Sequence, residues 1–165
     1  MLNEDYKDIL LALSDEKVRF LIVGAYAMAA HGYPRATMGI DIWVMPSPQN
    51  TDAVLRALHR FGAPLHNLTN EDLQRDGTIF QIGVAPRRID IITAASGLMF
   101  EDAYGRSLTV NIEGIEVHVP SLSDLIRNKR ASGRTTDLAD AEALESLKSS
   151  ERTAQPDAGP GGSIK

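Results

Sequence analysis

Cysteine is absent from the 165 residues. That excludes disulfide frameworks, thiol nucleophiles and cysteine-held zinc, and a cytoplasmic protein is the plain expectation. Long apolar runs are missing as well. Phe20-Leu21-Ile22-Val23 and Ala25 to Ala30 stop far short of a membrane span, so no membrane partner is expected. Asn3, Glu4, Asp5, Lys7 and Asp8 stand where a secretory signal would carry apolar residues, and no such signal is expected. Basic charge is the scarcer sign, 17 Lys and Arg against 22 Asp and Glu, for a net charge of -5. That balance argues against broad, sequence-blind nucleic-acid binding, which runs on counterion release.

What is present can build one core, with 43% apolar and 24% charged residues. Within the acidic whole there are two local basic groups. Arg127, Lys129, Arg130 and Arg134 share a stretch without an acid, and Arg87 adjoins Arg88. An anion about the size of a nucleotide fits such a group.

Periodicity divides the chain. Tyr6, Ile9, Leu10 and Leu13 at helical spacing predict a helix over 3–13. Val18 to Val23 reads as a strand buried on both faces, followed at once by Gly24 and an alanine-rich helix to Ala30. Pro34 forces an extended link into a second strand, Ile40 to Val44. Asn50 or Thr51 is expected to cap a helix closed by Gly62, and Thr69 with Asp72 a shorter one. Strands at 78–84 and 88–93 follow, then a short helix at 100–104. A hairpin around Glu113-Gly114 and a helix capped by Ser121, broken near Gly133, complete the pattern. The expected fold is α/β (α+β), a mixed sheet flanked by helices with a C-terminal helical segment. One domain is expected over residues 1–148 and a disordered tail over 149–165.

Three elements carry candidate chemistry. The Gly24-Ala25 turn joins a buried strand to a helix, where small residues let backbone N–H groups approach a phosphate. By itself, a strand-glycine-helix junction is more often only a tight turn. Asp41 lies within Ile40-Asp41-Ile42-Trp43-Val44, sharing a strand face with Gly39 and Trp43. Asp90 repeats the arrangement within Ile89-Asp90-Ile91-Ile92. A carboxylate among β-branched strand residues is costly unless it is solvated, paired or holding a cation, and two in matching strands point to a divalent metal site.

The stretch from Phe20 to Val44, with Gly24-Ala25 and then Arg35-x-Thr37-x-Gly39-x-Asp41, resembles the core of the DNA polymerase β-type nucleotidyltransferases. Asp90 on a later strand and Lys129 through Arg134, Asp137 and Asp140 extend the resemblance to the small bacterial AbiEii-like branch. It covers roughly residues 18–147. The resemblance implies a nucleotidyltransferase-like fold and Mg²⁺-dependent transfer of a nucleoside monophosphate from a nucleoside triphosphate to an acceptor hydroxyl. Tied to the same branch are tRNA or protein acceptors and a place in a toxin–antitoxin pair. Asp41 and Asp90 would be catalytic and hold Mg²⁺. Gly24, Ala25, Arg35, Thr37, Lys129 and Asp137 would bind the nucleotide. Gly39 stands where the family has its first metal-binding Asp. That departure supports an alternative, a non-catalytic nucleotide-binding or antitoxin-like protein on the same scaffold. The strand alternation predicts that Gly39→Asp adds a ligand beside Asp41 and speeds transfer with little effect on stability.

Plainer readings accompany several residues. Arg134 and Asp137 have i,i+3 ion-pair spacing, and Lys129 also reads as a solvated helix lysine. Arg35 and Thr37 also fit loop fixing, and His31 a contact with the end of its helix. Trp43 and Met45 read as packing residues, and Asp140 as a helix-surface acid.

Overall fold

The computed structural model describes residues 2–154. The chain opens with α1 (Glu4–Asp15), whose first turn is capped by the Asn3 side chain accepting from the Tyr6 N–H. It buries Tyr6, Ile9, Leu10 and Leu13, the stripe expected from the spacing. The order continues β1 (Phe20–Val23), α2 (Gly24–Ala30), β2 (Gly39–Val44), α3 (Pro48–Phe61) and α4 (Asn70–Gln74). It then runs β3 (Ile79–Ile82), β4 (Arg88–Ile92), α5 (Phe100–Gly105), β5 (Leu108–Ile112), β6 (Ile115–Val119), α6 (Leu122–Ser132) and α7 (Thr135–Ala154). The last helix passes the expected boundary at 148, and residues 155–165 of the expected tail lie outside the described residues.

One cap differs from expectation. Helix α3 begins at Pro48, with Ser47 at the N-cap, because proline is preorganised for the first helical turn. Asn50 is buried inside that helix instead. It accepts from the Arg19 N–H at 2.8 Å and donates to the Arg19 and Met45 carbonyls at 3.0 and 2.9 Å, tying the helix to the ends of β1 and β2. Ser121 caps α6 as expected, accepting from the Asp124 N–H, while the partner of the Asp124 carboxylate lies elsewhere. That carboxylate is buried and takes a two-pronged contact from Arg106 at 3.0 and 3.1 Å. Thr69 and Asp72 form the full reciprocal box on α4. At the hairpin, Glu113 and Gly114 both have positive φ, 50° and 89°, as a tight two-residue turn requires. His31 reaches beyond its own helix, its Nε2 lying 2.8 Å from the Pro120 carbonyl.

The main sheet has the order β1-β2-β4-β3. Strands β2 and β4 are parallel, and the outer pairs are antiparallel. The β5–β6 hairpin forms a separate two-stranded sheet. Alternation sends Phe20, Ile22, Ile40, Ile42, Val44, Ile89 and Ile91 into one large core. Side chains from α1, α3 and α6, together with the inner face of β6, complete it.

The opposite sheet face is divided. Leu21, Val23 and Trp43 form a smaller cluster with Phe100 and Ala103 of α5, and the Trp43 and Phe100 rings meet edge-on at 5.2 Å. Trp43 is thus a packing residue, as its sequence context indicates. Beyond this cover the same face opens into a cleft. Among the described residues no helix is long and apolar enough to cross a membrane.

Candidate active site

Strand register builds the floor of the cleft row by row. One row crosses all four strands, pairing Val23 with Asp41, Asp41 with Asp90, and Asp90 with Gln81. Two residues along, and so on the same face, Gly39 lies opposite Arg88. The two carboxylates are therefore neighbours on adjacent parallel strands, on the face turned from the large core. The sequence pattern places each acid on its own strand, and only the register shows that they face each other.

The cleft, about 510 Å³, has α6 and the start of α7 as its opposite wall. Gly24, Asp41, Arg88, Asp90, Asn128, Lys129, Ser132, Arg134 and Asp137 all line it. Of the candidates read from the sequence, Gly24, Asp41, Asp90, Lys129 and Asp137 are brought together. Ala25, Arg35 and Thr37 do not line the cleft. Arg35 forms an ion pair with Asp140. The Thr37 hydroxyl donates to the Gly39 carbonyl at 2.7 Å and accepts from the Gly39 N–H at 3.2 Å, fixing the approach to β2.

Gly24 is constrained twice. Its φ of +69° lies in the left-handed region, and a Cβ there would fall on the Asp41 Oδ2 atom. Glycine is thus what allows the Asp41 carboxylate to lie against the strand-to-helix turn. Gly39 is constrained by its neighbour strand, since a Cβ would stand 2.5 Å from the Arg88 carbonyl oxygen and 3.2 Å from the Arg88 Cβ. The expectation that an Asp fits there with little disturbance is corrected by this contact, because the obstruction is backbone. Gly39→Asp is expected to lower stability by about 1–3 kcal/mol and to bring no gain in transfer. A thermal melt and a product assay check both; faster transfer at unchanged stability would contradict the steric account.

Burial raises the Asp41 carboxyl to about 6, with the charge of Asp90 and a shared hydrogen bond adding to it and Arg88 and Lys129 opposing. Arg88 Nε lies 3.1 Å from Asp90 Oδ1. The two atoms are close enough to attract but misaligned for hydrogen bonding, so both are buried without a hydrogen-bond partner. Arg88 belongs to a basic pair visible in the sequence. Its place in the cleft was not, because position 88 gains meaning only from its register with Gly39.

On the opposite wall Lys129 reaches Asp137 at 3.2 Å and Asp140 at 3.1 Å. Asp137 also takes contacts from Ser132 and from Arg134, the latter at 3.0 Å, so the i,i+3 pairing is present. Burial pushes the Asp137 carboxyl up, but hydrogen bonds from Ser132 and Lys129 and the nearby positive charges hold it below its ordinary value. Lys129 is a largely buried, fixed cation rather than a solvated one. Asp140, expected on the surface, is 5% exposed and sits between Lys129 and Arg35. Asp140→Asn is expected to cost about 1–3 kcal/mol of stability by weakening two charged contacts. Denaturant titration measures this, and a change near zero would return Asp140 to the surface reading.

Among the described residues no group of three or more His, Asp or Glu side chains is placed to hold a metal ion. Asp41 and Asp90 remain as a two-carboxylate pair with an unpartnered buried oxygen on Asp90. That donor set fits one divalent ion completed by ligands from a bound polyphosphate.

No protein-family model matches the chain, and no curated protein matches it. Solved structures do. A Thermotoga maritima protein assigned as a nucleotidyltransferase is similar over 93% of this chain and 96% of its own, with 16% identity and a TM-score of 0.54. The antibiotic-resistance factor ANT(2'')-Ia is similar over 90% of each chain, with 15% identity and a TM-score of 0.53. The mixed sheet, its flanking helices and the C-terminal helical segment are therefore those of a nucleotidyltransferase-like fold.

Proposed function

We propose that the chain transfers a nucleoside monophosphate from a nucleoside triphosphate to an acceptor hydroxyl. The observation that carries this reading is the in-register pair Asp41–Asp90 facing the cationic wall of Lys129 and Arg134 across one cleft. Lys129 and Arg134 hold phosphate oxygens, and the Gly24 turn lets the triphosphate lie close to the sheet. Asp137 keeps the Lys129 ammonium fixed at the rim. Asp41 and Asp90 would hold Mg²⁺, which when bound would supply charge neutralisation to the phosphates. The acceptor hydroxyl releases its proton to solvent as its oxygen bonds the α-phosphorus; the bond from that phosphorus to the α,β-bridging oxygen breaks, and pyrophosphate leaves with that electron pair.

An AbiEii-like identity, a tRNA or protein acceptor, a cytoplasmic location and a toxin–antitoxin role belong to this reading. They are supported by the motif resemblance and by the absence of cysteine. A second reading, nucleotide binding without turnover, is favoured by Gly39, where the contact with Arg88 leaves no room for a third carboxylate. The test is a turnover assay with each triphosphate, Mg²⁺, and tRNA and protein acceptors, beside a thermal-shift measurement. Labelled product supports transfer. A Mg²⁺-dependent shift without product under every acceptor supports the second reading.

A further inference from the structure

The geometry points to Arg88 as a resident cation of the cleft, so that the site takes one divalent ion rather than two. The inference rests on the proposed nucleotide cleft and goes beyond it by assigning a residue to the place of a second ion. Two divalent ions a few ångströms apart repel one another and need several anionic oxygens between them. Here the floor offers two carboxylates, Asp41 and Asp90; the third acid lining the cleft, Asp137, is on the opposite wall, paired with Lys129 and Arg134.

Arg88 occupies the remaining space. It faces Gly39 across the strand pair, and the missing side chain at 39 is what admits its backbone and Cβ so close to β2. Its Nε is 3.1 Å from Asp90 Oδ1, and its charge is also felt at Asp41. The Arg88 side chain is 37% exposed, so its far end remains open to a ligand in the cleft while its Nε is buried. Two carboxylates, one guanidinium and one divalent ion carry the same net charge as three carboxylates with two such ions. A second ion would have to sit against a fixed positive group that cannot lose its proton. Tyr6 holds this strand end in place by donating its hydroxyl to the Arg88 carbonyl at 3.0 Å, a contact that any side-chain substitution at 88 leaves in place.

The two probes are inorganic tripolyphosphate without metal and Mn²⁺ without nucleotide, each titrated calorimetrically into the whole protein. Arg88→Gln is expected to weaken metal-free tripolyphosphate binding about tenfold, because a charge-assisted contact is lost. The same variant is expected to tighten Mn²⁺ binding about threefold or more, because repulsion at the carboxylates is relieved. Arg88→Lys restores most of the tripolyphosphate affinity. A role confined to folding would move both affinities the same way, and a melting curve for each variant reads that directly. Equilibrium dialysis is expected to find one Mn²⁺ per wild-type chain with tripolyphosphate present.

Two bound Mn²⁺ per chain, parallel changes in the two affinities, or no binding of either probe by the wild type would overturn the assignment. Opposite changes with no turnover on any acceptor would leave Arg88 in this role and remove the transferase reading. Turnover with two bound Mn²⁺ would do the reverse.

Discussion

Asp41→Asn is expected to stabilise the metal-free protein at neutral pH while cutting nucleotidyl transfer by about 10²–10³. The two effects have one cause. Asp41 is buried beside Asp90, and its carboxyl is raised from 3.8 to about 6. A carboxyl raised on folding binds its proton more tightly in the folded state. Its favourable contribution is complete below about pH 4 and is lost as pH rises through about 6. Above that window the folded protein carries two facing carboxylates, at a cost of about 1–3 kcal/mol. Asn removes the buried charge and with it the repulsion from Asp90 while keeping the shape, so the variant should melt higher than the wild type at pH 7.5 in EDTA and nearly level with it at pH 4. Melting curves at both pH values, beside a turnover assay, check the prediction. A variant less stable than the wild type at pH 7.5 would show that the Asp41 carboxylate is held by favourable contacts, and transfer at the wild-type rate would remove it from the site.

Gly24→Ala should damage both the fold and the cleft, because it joins a strained backbone to a clash with Asp41. Alanine in the left-handed conformation costs about 1–2 kcal/mol before any contact is counted. Its methyl would also take the place of Asp41 Oδ2, so the carboxylate must turn away from Asp90 or the β1–α2 junction must open. Either movement separates groups that the row across β2 and β4 holds together. The expected result is a lower melting temperature and a loss of at least about tenfold in Mg²⁺-dependent triphosphate affinity, since the proposed metal ligand is displaced. Gly32→Ala is the matching control. That glycine also has positive φ but nothing lies within 4 Å of its Cβ position, so it should share the stability loss and spare the binding. Equal binding losses from the two changes would mean that backbone strain, rather than the Asp41 contact, is responsible.

Local order in this chain was legible because it depends on near neighbours. The stripe of Tyr6, Ile9, Leu10 and Leu13, the hairpin turn at Glu113-Gly114 and the capping box at Thr69 and Asp72 each follow from residues a few positions apart. Strand alternation likewise put Asp41 and Asp90 on the faces opposite Ile40 and Ile89, as observed. One cap differs because the favoured residue type has other partners: Asn50 serves Arg19 and Met45 rather than its own helix.

What the sequence alone determined was the set of elements, the side of each strand that its acids occupy and the basic stretch around Lys129. Only the tertiary structure decided the meeting of these parts, because register and helix docking are set by contacts far apart in the chain. The parallel register of β2 on β4 placed Asp41 beside Asp90 and Gly39 against Arg88. Docking of α6 and α7 turned an expected surface acid, Asp140, into a buried partner of Lys129 and Arg35. A missing carboxylate at 39 reads in the sequence as a simple loss. In the fold the place of a Cβ at 39 is taken by Arg88, whose carbonyl oxygen and Cβ lie 2.5 and 3.2 Å from it.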